Sequence, residues 1–416
     1  MPAVETQVAA LELEHVRKKI ETVFESDDRF FSSIKKRDVE KISNRLMRVP
    51  LELRPGGNFG YWDPNGGDLG RGNAQTFDKA VLQSVFVKEG IEYTKLVQYS
   101  TDDSRKAIAN AVRKFSARAL DEIRRQLDAQ SMQAGTGQVG TISAVTTAAG
   151  VDTYTLDSDG FGARLVRYGQ TVQVFDTTLA TLRGSGTITQ WDVANKTIQV
   201  TPAVAGAVAT DVLITDGITS PLSMPALYGV PYQHSNAAVG TWLGFNRATT
   251  PEIRANRVNG GNNALALPLA RLAMNRIGNR VGIDNRFNPT AWMHPAQIDA
   301  YEQLGQLVQF IQKMPKDEAL NLYFGDKMQM AGANVKGHFN WNEKRIDFIV
   351  DSVWGRGEIL PIGFYTVDGR KIFEIRGQSG GVASSEIFYM VAGFQFFVSN
   401  PAACAYIDNL AVPDGY

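Results

Sequence analysis

The chain has 416 residues, 43 basic and 43 acidic side chains, and a formal net charge of zero. That balance excludes a dedicated nucleic-acid binder, which draws its affinity from a basic excess that neutralises phosphates. With 44% hydrophobic and 21% charged residues the chain is not disordered by composition, and its length suits two or three domains. The single cysteine, Cys404, excludes a disulfide framework and a thiolate metal cluster, and His15, His234, His294 and His338 include no pair at helical metal-site spacing. No run of about 18 apolar residues suggests a membrane span. The acidic residues of MPAVETQVAALELEH stand where a signal peptide needs positive charge. A soluble protein of a reducing compartment is expected, with no membrane partner. Zero net charge also removes self-repulsion and so permits association.

Residues 1–54 carry 11 basic and 10 acidic side chains. Leu13, Val16, Ile20 and Phe24 mark one helical face, and Phe30, Ile34, Val39, Ile42 and Leu46 mark a second. Pro50 and Pro55 then break the pattern. The segment reads as two short helices or as an arm that needs a partner surface. Residues 55–75, PGGNFGYWDPNGGDLGRGNAQ, are too rich in glycine for a regular helix and hold Phe59, Tyr61 and Trp62. Alternation at Val85, Val87, Ile91, Tyr93, Leu96 and Tyr99 predicts strand over 76–99, so that 55–99 reads as a long hairpin with a decorated loop.

The clearest helix covers 100–132. Thr101 caps it, Asp102 and Asp103 occupy its first turn, and Ile108, Val112, Phe115, Ala119, Ile123 and Leu127 form one face. About 30 residues give a rod of roughly 45 Å, which Gly135 and Gly137 end. Residues 138–217 differ in character, with four basic and seven acidic side chains and repeated period-two segments. Thr187–Trp191 and Lys196–Val200 flank a turn at 192–195, and Tyr154/Leu156, Val172/Val174 and Val212/Ile214 continue the pattern. A small β-barrel or sandwich inserted into the chain is expected. Residues 246–290 hold seven Arg, no Lys and two acids, whereas 291–416 hold 10 basic and 14 acidic side chains. Helices are predicted at 264–281 and 295–312, and strands at 345–350, 371–376 and 386–398.

No catalytic, cofactor or metal constellation emerges. GQSGG at 377–381 has the form of a nucleophile elbow around Ser379, but no histidine follows position 338 to complete a triad. The glycine-rich run at 56–72 lacks the Gly-Lys-Ser/Thr ending of a phosphate loop. His294 reads as a structural side chain at a helix start, and Cys404 as a small buried hydrophobe.

FGYWDPNGGDLGRG followed by EYTKLVQYSTDDSRKAIANAVRKF resembles the extended loop and spine helix of tailed-phage major capsid proteins. GTWLGFNRATTPEIRAN, TAWMHPAQIDAYEQL and FQFFVSNPAACAYID are similar to later parts of the same family. The resemblance implies an α+β chain of the Hong Kong 97 type, divided into an N-terminal arm (1–54), an extended loop (55–99) and a spine helix (100–137). These would be followed by an inserted β domain (138–217), the remaining peripheral domain (218–290) and an axial domain with closing peripheral strands (291–416). It implies a structural role and no enzyme: hexamers and pentamers closing an icosahedral head around double-stranded DNA. The chain would assemble in the host bacterial cytoplasm and reside in the virion, with portal and scaffolding or decoration proteins as partners and the packaged DNA touched non-specifically. Phe59, Tyr61, Trp62, Asp63, Asp68 and Arg71 of the extended loop are the expected intersubunit contacts. Arg247, Arg254 and Arg257 are candidate charge contacts to the acid-rich C-terminal region of a neighbour. An encapsulin-like shell around protein cargo is the alternative within that fold, and a glycan- or surface-binding role for 138–217 is the alternative outside it.

Overall fold

The computed structural model describes residues 28–61, 70–94, 104–157, 163, 166–218, 220–222, 226–282, 289–311, 329–363, 366–367, 370–371, 373–374 and 385–413. Two sheets organise the body. One has six strands, in the order Asn256–Asn263, Ala405–Leu410, Ile346–Ile349, Thr290–Met293, Ala333–Gly337 and Gln329–Met330. Its two central strands, Ile346–Ile349 and Thr290–Met293, are buried on both faces, and the period-two alternation of a strand assigns their side chains to two cores. Ala291, Met293, Ile346 and Phe348 pack with Ala270, Ala273 and Ile277 of the helix Leu267–Val281 and with Ile298 of the helix Pro295–Ile311. Trp292 and Ile349 face the opposite way, into a second core shared with the other sheet.

That other sheet is built on the 14-residue strand Ser385–Val398, which pairs with Trp354–Gly363, Val85–Thr94 and Phe373–Glu374. The long helix runs Ser104–Gln130 and buries Ala119, Ile123 and Leu127 in the same core. A five-residue helix, Arg29–Ser33, fills what remains. The ring of Phe30 stands edge-on to Trp292, Trp341 and Trp354 at centroid distances of 5.3, 5.4 and 5.6 Å. Edge-to-face geometry sets the positive ring edge against a negative face and adds to the burial term.

Two buried carboxylates lock these parts. Asp128, near the end of the long helix, accepts the Phe31 backbone N–H at 2.7 Å and lies 2.5 Å from Nε2 of His338. The Asn340 N–H donates to Nδ1 of that ring at 3.0 Å, so the ring proton belongs on Nε2, facing Asp128. Asp347, in the central strand Ile346–Ile349, takes a two-pronged interaction from Arg345 at 2.7 and 2.8 Å, and further bonds from Trp341 Nε1 and His234 Nδ1, both at 3.1 Å. Burial pushes the Asp347 carboxyl up, but the Arg345 guanidinium and the His234 contact outweigh it and hold it below the usual carboxylate range.

Residues 138–215 close into a six-stranded barrel in the order Val212–Thr215, Gln138–Ala148, Val151–Leu156, Thr197–Thr201, Leu182–Asp192 and Thr171–Phe175, which returns to Val212–Thr215. Closure leaves no free sheet edge. Val172, Val174, Ile188, Ile198, Val200 and Leu213 fill its interior from alternate positions. The chain enters and leaves the barrel side by side. Ala134 bridges Tyr228, and the Ala226 N–H donates to the Gly135 carbonyl at 2.9 Å. Gly137 takes φ +74, where a side chain is strained, and a Cβ there would also have to displace the Ile218 side chain.

The expected helical face from Phe30 to Leu46 is not what forms. After Ser33 the chain is extended, and Glu40–Lys41 and Leu46–Arg54 are strands. Met47, Val49, Leu51 and Leu53 alternate on one face, and this period of two overrides the looser helical spacing before it. Pro50 is tolerated because the Glu40–Lys41 strand covers only Arg48 and Met47, leaving an edge beyond. The strand reading of 76–99 also divides, with Thr76–Gln83 joining the hairpin and Val85–Thr94 joining the main sheet. Helices Leu267–Val281 and Pro295–Ile311 and strands Ile346–Ile349 and Ser385–Val398 fall where the sequence puts them, and Arg370–Lys371 and Phe373–Glu374 fall across the predicted 371–376. The helical reading of Leu13 to Phe24 and the cap residues Thr101, Asp102 and Asp103 lie outside the described residues.

Truncating Phe30 empties the space between three tryptophans. Phe30→Ala is expected to cost about 3–5 kcal/mol in urea unfolding of the subunit; a loss under about 1 kcal/mol contradicts the caging of this ring.

Candidate assembly surfaces

Strands Leu46–Arg54 and Thr76–Gln83 form an antiparallel hairpin in register from Leu46 opposite Gln83 to Arg54 opposite Thr76. Its root is fixed. Met47, Ala80 and Leu82 are buried with Trp242, Leu243, Phe245 and Phe397. Trp242 Nε1 donates to Gln233 Oε1 at 2.8 Å, and Gln233 Nε2 donates to the Phe396 carbonyl at 3.1 Å. The Val81 N–H donates to the Leu243 carbonyl at 2.8 Å. Arg54, farther out, pairs with Glu252 at 2.8 Å.

The outer part is bare. Phe77 is 66% exposed, Phe59 91% and Tyr61 99%, and the Phe59 and Tyr61 rings meet edge-on at 5.8 Å. Backbone pairing reaches Gly57, whose N–H donates to the Asn73 carbonyl at 2.8 Å. Gly56 takes φ +67 there, and a Cβ would meet the Gln75 nitrogen at 2.7 Å. Arg71 is exposed, while Trp62, Asp63 and Asp68 lie outside the described residues. Covering one large aromatic side chain gains about 1.5–3 kcal/mol, so three left in water form a surface suited to a partner.

At the junction of main sheet, long helix and barrel, Glu122 accepts two bonds from Arg125 at 2.7 and 3.1 Å and one from Gln126 at 3.1 Å, and Arg167 of the barrel segment lies 3.8 Å away. Arg125 is 2% exposed. Glu89, on the strand Val85–Thr94, shares this site. Burial, reinforced by the Glu122 charge and opposed by Arg125, pushes the Glu89 carboxyl up to about 7. A second barrel contact joins Lys196 to Glu343 at 3.8 Å.

No protein-family model and no curated protein matches this sequence. Solved structures do. The capsid asymmetric unit of cyanophage A-1(L) is 12% identical, covers 94% of this chain and 95% of its own, and has a TM-score of 0.55. The native capsid of a GTA particle is 11% identical over 95% and 94% of the two chains, with a TM-score of 0.47. The holo-SrpI encapsulin complex of Synechococcus elongatus is 7% identical over 98% and 97%, with a TM-score of 0.42.

The chain has a Hong Kong 97-type capsid fold.

Within this capsid fold the three arginines singled out from sequence have partners in their own chain. Arg247 is 3% exposed, and its guanidinium donates to the Ser235 and Tyr232 carbonyls at 2.9 and 2.8 Å, an internal clamp rather than a surface charge. Arg254 donates to the Arg247 carbonyl. Arg257 pairs with Asp408 at 2.9 and 3.0 Å, because Asn256–Asn263 and Ala405–Leu410 are parallel neighbours. The Arg-rich stretch and the acid-rich C-terminal region thus meet inside the subunit at this pair.

His294 accepts the Ala296 N–H on Nδ1 at 3.2 Å at a helix start, and Cys404 is buried. Ser379 lies outside the described residues. Among the described residues no group of three His, Cys, Asp or Glu is placed to hold a metal, and no helix is long and apolar enough to cross a membrane. Sequence reasoning missed the pairings of Asp128 with His338 and of Asp347 with His234. A signal existed: Asp347 interrupts the otherwise apolar strand Ile346–Ile349, and Asp128 adjoins Leu127 near the end of an apolar helix face.

A carboxyl whose folded-state value lies above its ordinary 4.5 costs nothing below that value and destabilises progressively as pH rises toward 7. Glu89→Gln removes the cost. Thermal unfolding is expected to show the variant more stable than the parent at pH 8, by about 2–3 kcal/mol, with the gap closing at pH 4.5. An equal gap at both pH values contradicts the burial of this group.

Proposed function

We propose that the chain is the major shell subunit of a tailed double-stranded DNA phage, assembling as hexamers and pentamers into an icosahedral head. One observation carries the reading: a chain with a capsid fold over nearly its whole length holds out a hairpin whose root is buried and whose far aromatic side chains are bare. A well-packed root resists bending, so the hairpin presents Phe59, Tyr61 and Phe77 at a defined distance from the body. In the shell they lie on a neighbouring subunit, with Trp62, Asp63, Asp68 and Arg71 completing the contact. Aromatic side chains are the preferred anchors of protein interfaces. Arg247, Arg254 and Arg257 are engaged within their own subunit and are not assigned to the contact between copies. Portal and scaffolding or decoration proteins are the further partners, packaged DNA is touched without sequence preference, and assembly takes place in the host bacterial cytoplasm. The chemistry is association alone, with modest contacts multiplied over many copies.

Electron microscopy of the purified protein tests this. Closed shells that enclose nucleic acid are expected after assembly in the producing phage, and a chain that stays monomeric and is absent from virions overturns the reading. Shells that contain only a protein cargo replace the head with a compartment of the same fold. The double variant Phe59→Ser, Tyr61→Ser is expected to leave subunit unfolding within about 0.5 kcal/mol of the parent, since both side chains are exposed, while abolishing or strongly reducing shell yield. Undiminished yield removes the hairpin from the contact.

A further inference from the structure

Four arginines of the Arg-rich stretch collect in one place. Arg254, Arg257, Arg276 and Arg280 line an open concavity of about 410 Å³, bounded by the Pro251–Ile253 turn and the helix Leu267–Val281. Arg276 and Arg280 are four residues apart and so share a helix face. Arg280 donates to the backbone carbonyls of Pro251 and Glu252 at 2.9 and 3.2 Å and to that of Arg254, and Arg254 donates to the Arg247 and Ala248 carbonyls. Carbonyls hold these guanidinium groups in position without cancelling their charge. Of the acids nearby, Glu252 is engaged by Arg54 at 2.8 Å, and Asp408 is engaged by Arg257 of the groove itself at 2.9 Å, which leaves Arg254, Arg276 and Arg280 as the cations offered to an anion. Burial draws Arg280 below the usual arginine value, Glu252 pulls it back up, and the neighbouring Arg254 lowers it by less. Guanidinium groups gathered in one concavity attract an anion.

We infer that this groove binds the phosphodiester backbone of nucleic acid. Every cation in it is a guanidinium, whose planar fork matches an oxyanion with two hydrogen bonds. A single carboxylate satisfies one such fork. Duplex DNA carries one charge per about 1.7 Å of axis and can engage several at once. Guanidinium contacts to phosphates carry no base information, so the contact is independent of sequence. The choice of a phosphodiester over an acidic protein segment rests on the shell reading above; the presence of an anion site does not.

The test uses the full-length, unassembled subunit and two unrelated 20-base-pair duplexes, with fluorescence anisotropy between 50 and 200 mM NaCl and light scattering to follow the assembly state. Three phosphate contacts predict an affinity loss of about 40-fold over that range. Arg276→Gln keeps a good helix former on an exposed face. It is expected to weaken both duplexes equally and to lower the salt slope by about 1. Asp408→Asn, which frees Arg257, is expected to tighten binding. A parent protein with no salt-dependent binding, or an Arg276→Gln variant that binds like the parent, overturns the inference. Displacement of DNA by polyglutamate at equal charge concentration also overturns it, in favour of an acidic protein segment. Because binding is read on unassembled subunits, DNA binding without shells sinks the head and spares the groove, and shells without DNA binding do the reverse.

Discussion

Asp128 is wholly buried near the end of a 27-residue helix, where an uncompensated charge would cost several kcal/mol. Its compensation comes from two distant parts of the chain, the Phe31 N–H and the His338 ring. The helix, the segment that precedes the hairpin and the turn after Ala333–Gly337 are therefore mutually dependent. Removing any one strands the carboxylate. The same logic holds at Asp347, which needs Arg345, Trp341 and His234 together. Around both carboxylates the Phe30–tryptophan cluster excludes water, which strengthens the polar contacts it surrounds. The Arg29–Ser33 helix belongs to the body on this account, since it supplies both the central ring and a hydrogen bond to the central carboxylate.

A body tied in this way makes a projecting hairpin useful. Interfaces hold best when the groups that make them lose little freedom on association. The hairpin root is buried against Trp242 and Phe245, and the salt bridge from Arg54 to Glu252 extends that support outward. The bare aromatic side chains thus sit on a backed ribbon that ends in a glycine-rich tip. The barrel is attached differently, through adjacent crossing points at Ala134 and Tyr228 and polar contacts at Arg167 and Lys196. Two side-by-side connections suit a module with a closed core of its own.

The sequence was most legible where information is local. A long run of helical spacing gave the helix Ser104–Gln130, and alternation with turn residues gave the barrel strands around 187–200. It failed where two periods compete over few residues. Phe30, Ile34, Val39, Ile42 and Leu46 satisfy a helix only if gaps of five are allowed, and the strict alternation from Met47 to Leu53 was the stronger pattern. The exposure of Phe59 and Tyr61 was readable because glycine-rich chain offers nothing local to cover them, whereas Phe77, on a strand, carried no such signal. The buried pairs were not readable, since Asp128 and His338 are 210 positions apart and no periodicity links them. The arginines illustrate a subtler limit. Composition located the charge of 246–290, but only strand order reveals that Arg257 finds Asp408 in its own subunit.

That distinction changes the meaning of neutrality. Equal numbers of acids and bases first suggest surfaces of opposite sign that meet between copies. In the fold part of the balance is internal: Arg345 with Asp347, Arg125 with Glu122, Arg257 with Asp408 and Arg54 with Glu252. The Arg345–Asp347 and Arg125–Glu122 pairs are largely buried and the other two lie at the surface, and all four are made before any neighbour arrives. Long-range attraction between copies is then weak, and contact area must supply the affinity that charge does not. Apolar contact is short-ranged and little affected by salt, whereas the open arginine groove acts at a distance and is screened within about a Debye length. A protein of zero net charge can in this way keep adhesion between copies and attraction for an anion on different parts of its surface, each responding to a different property of the solution.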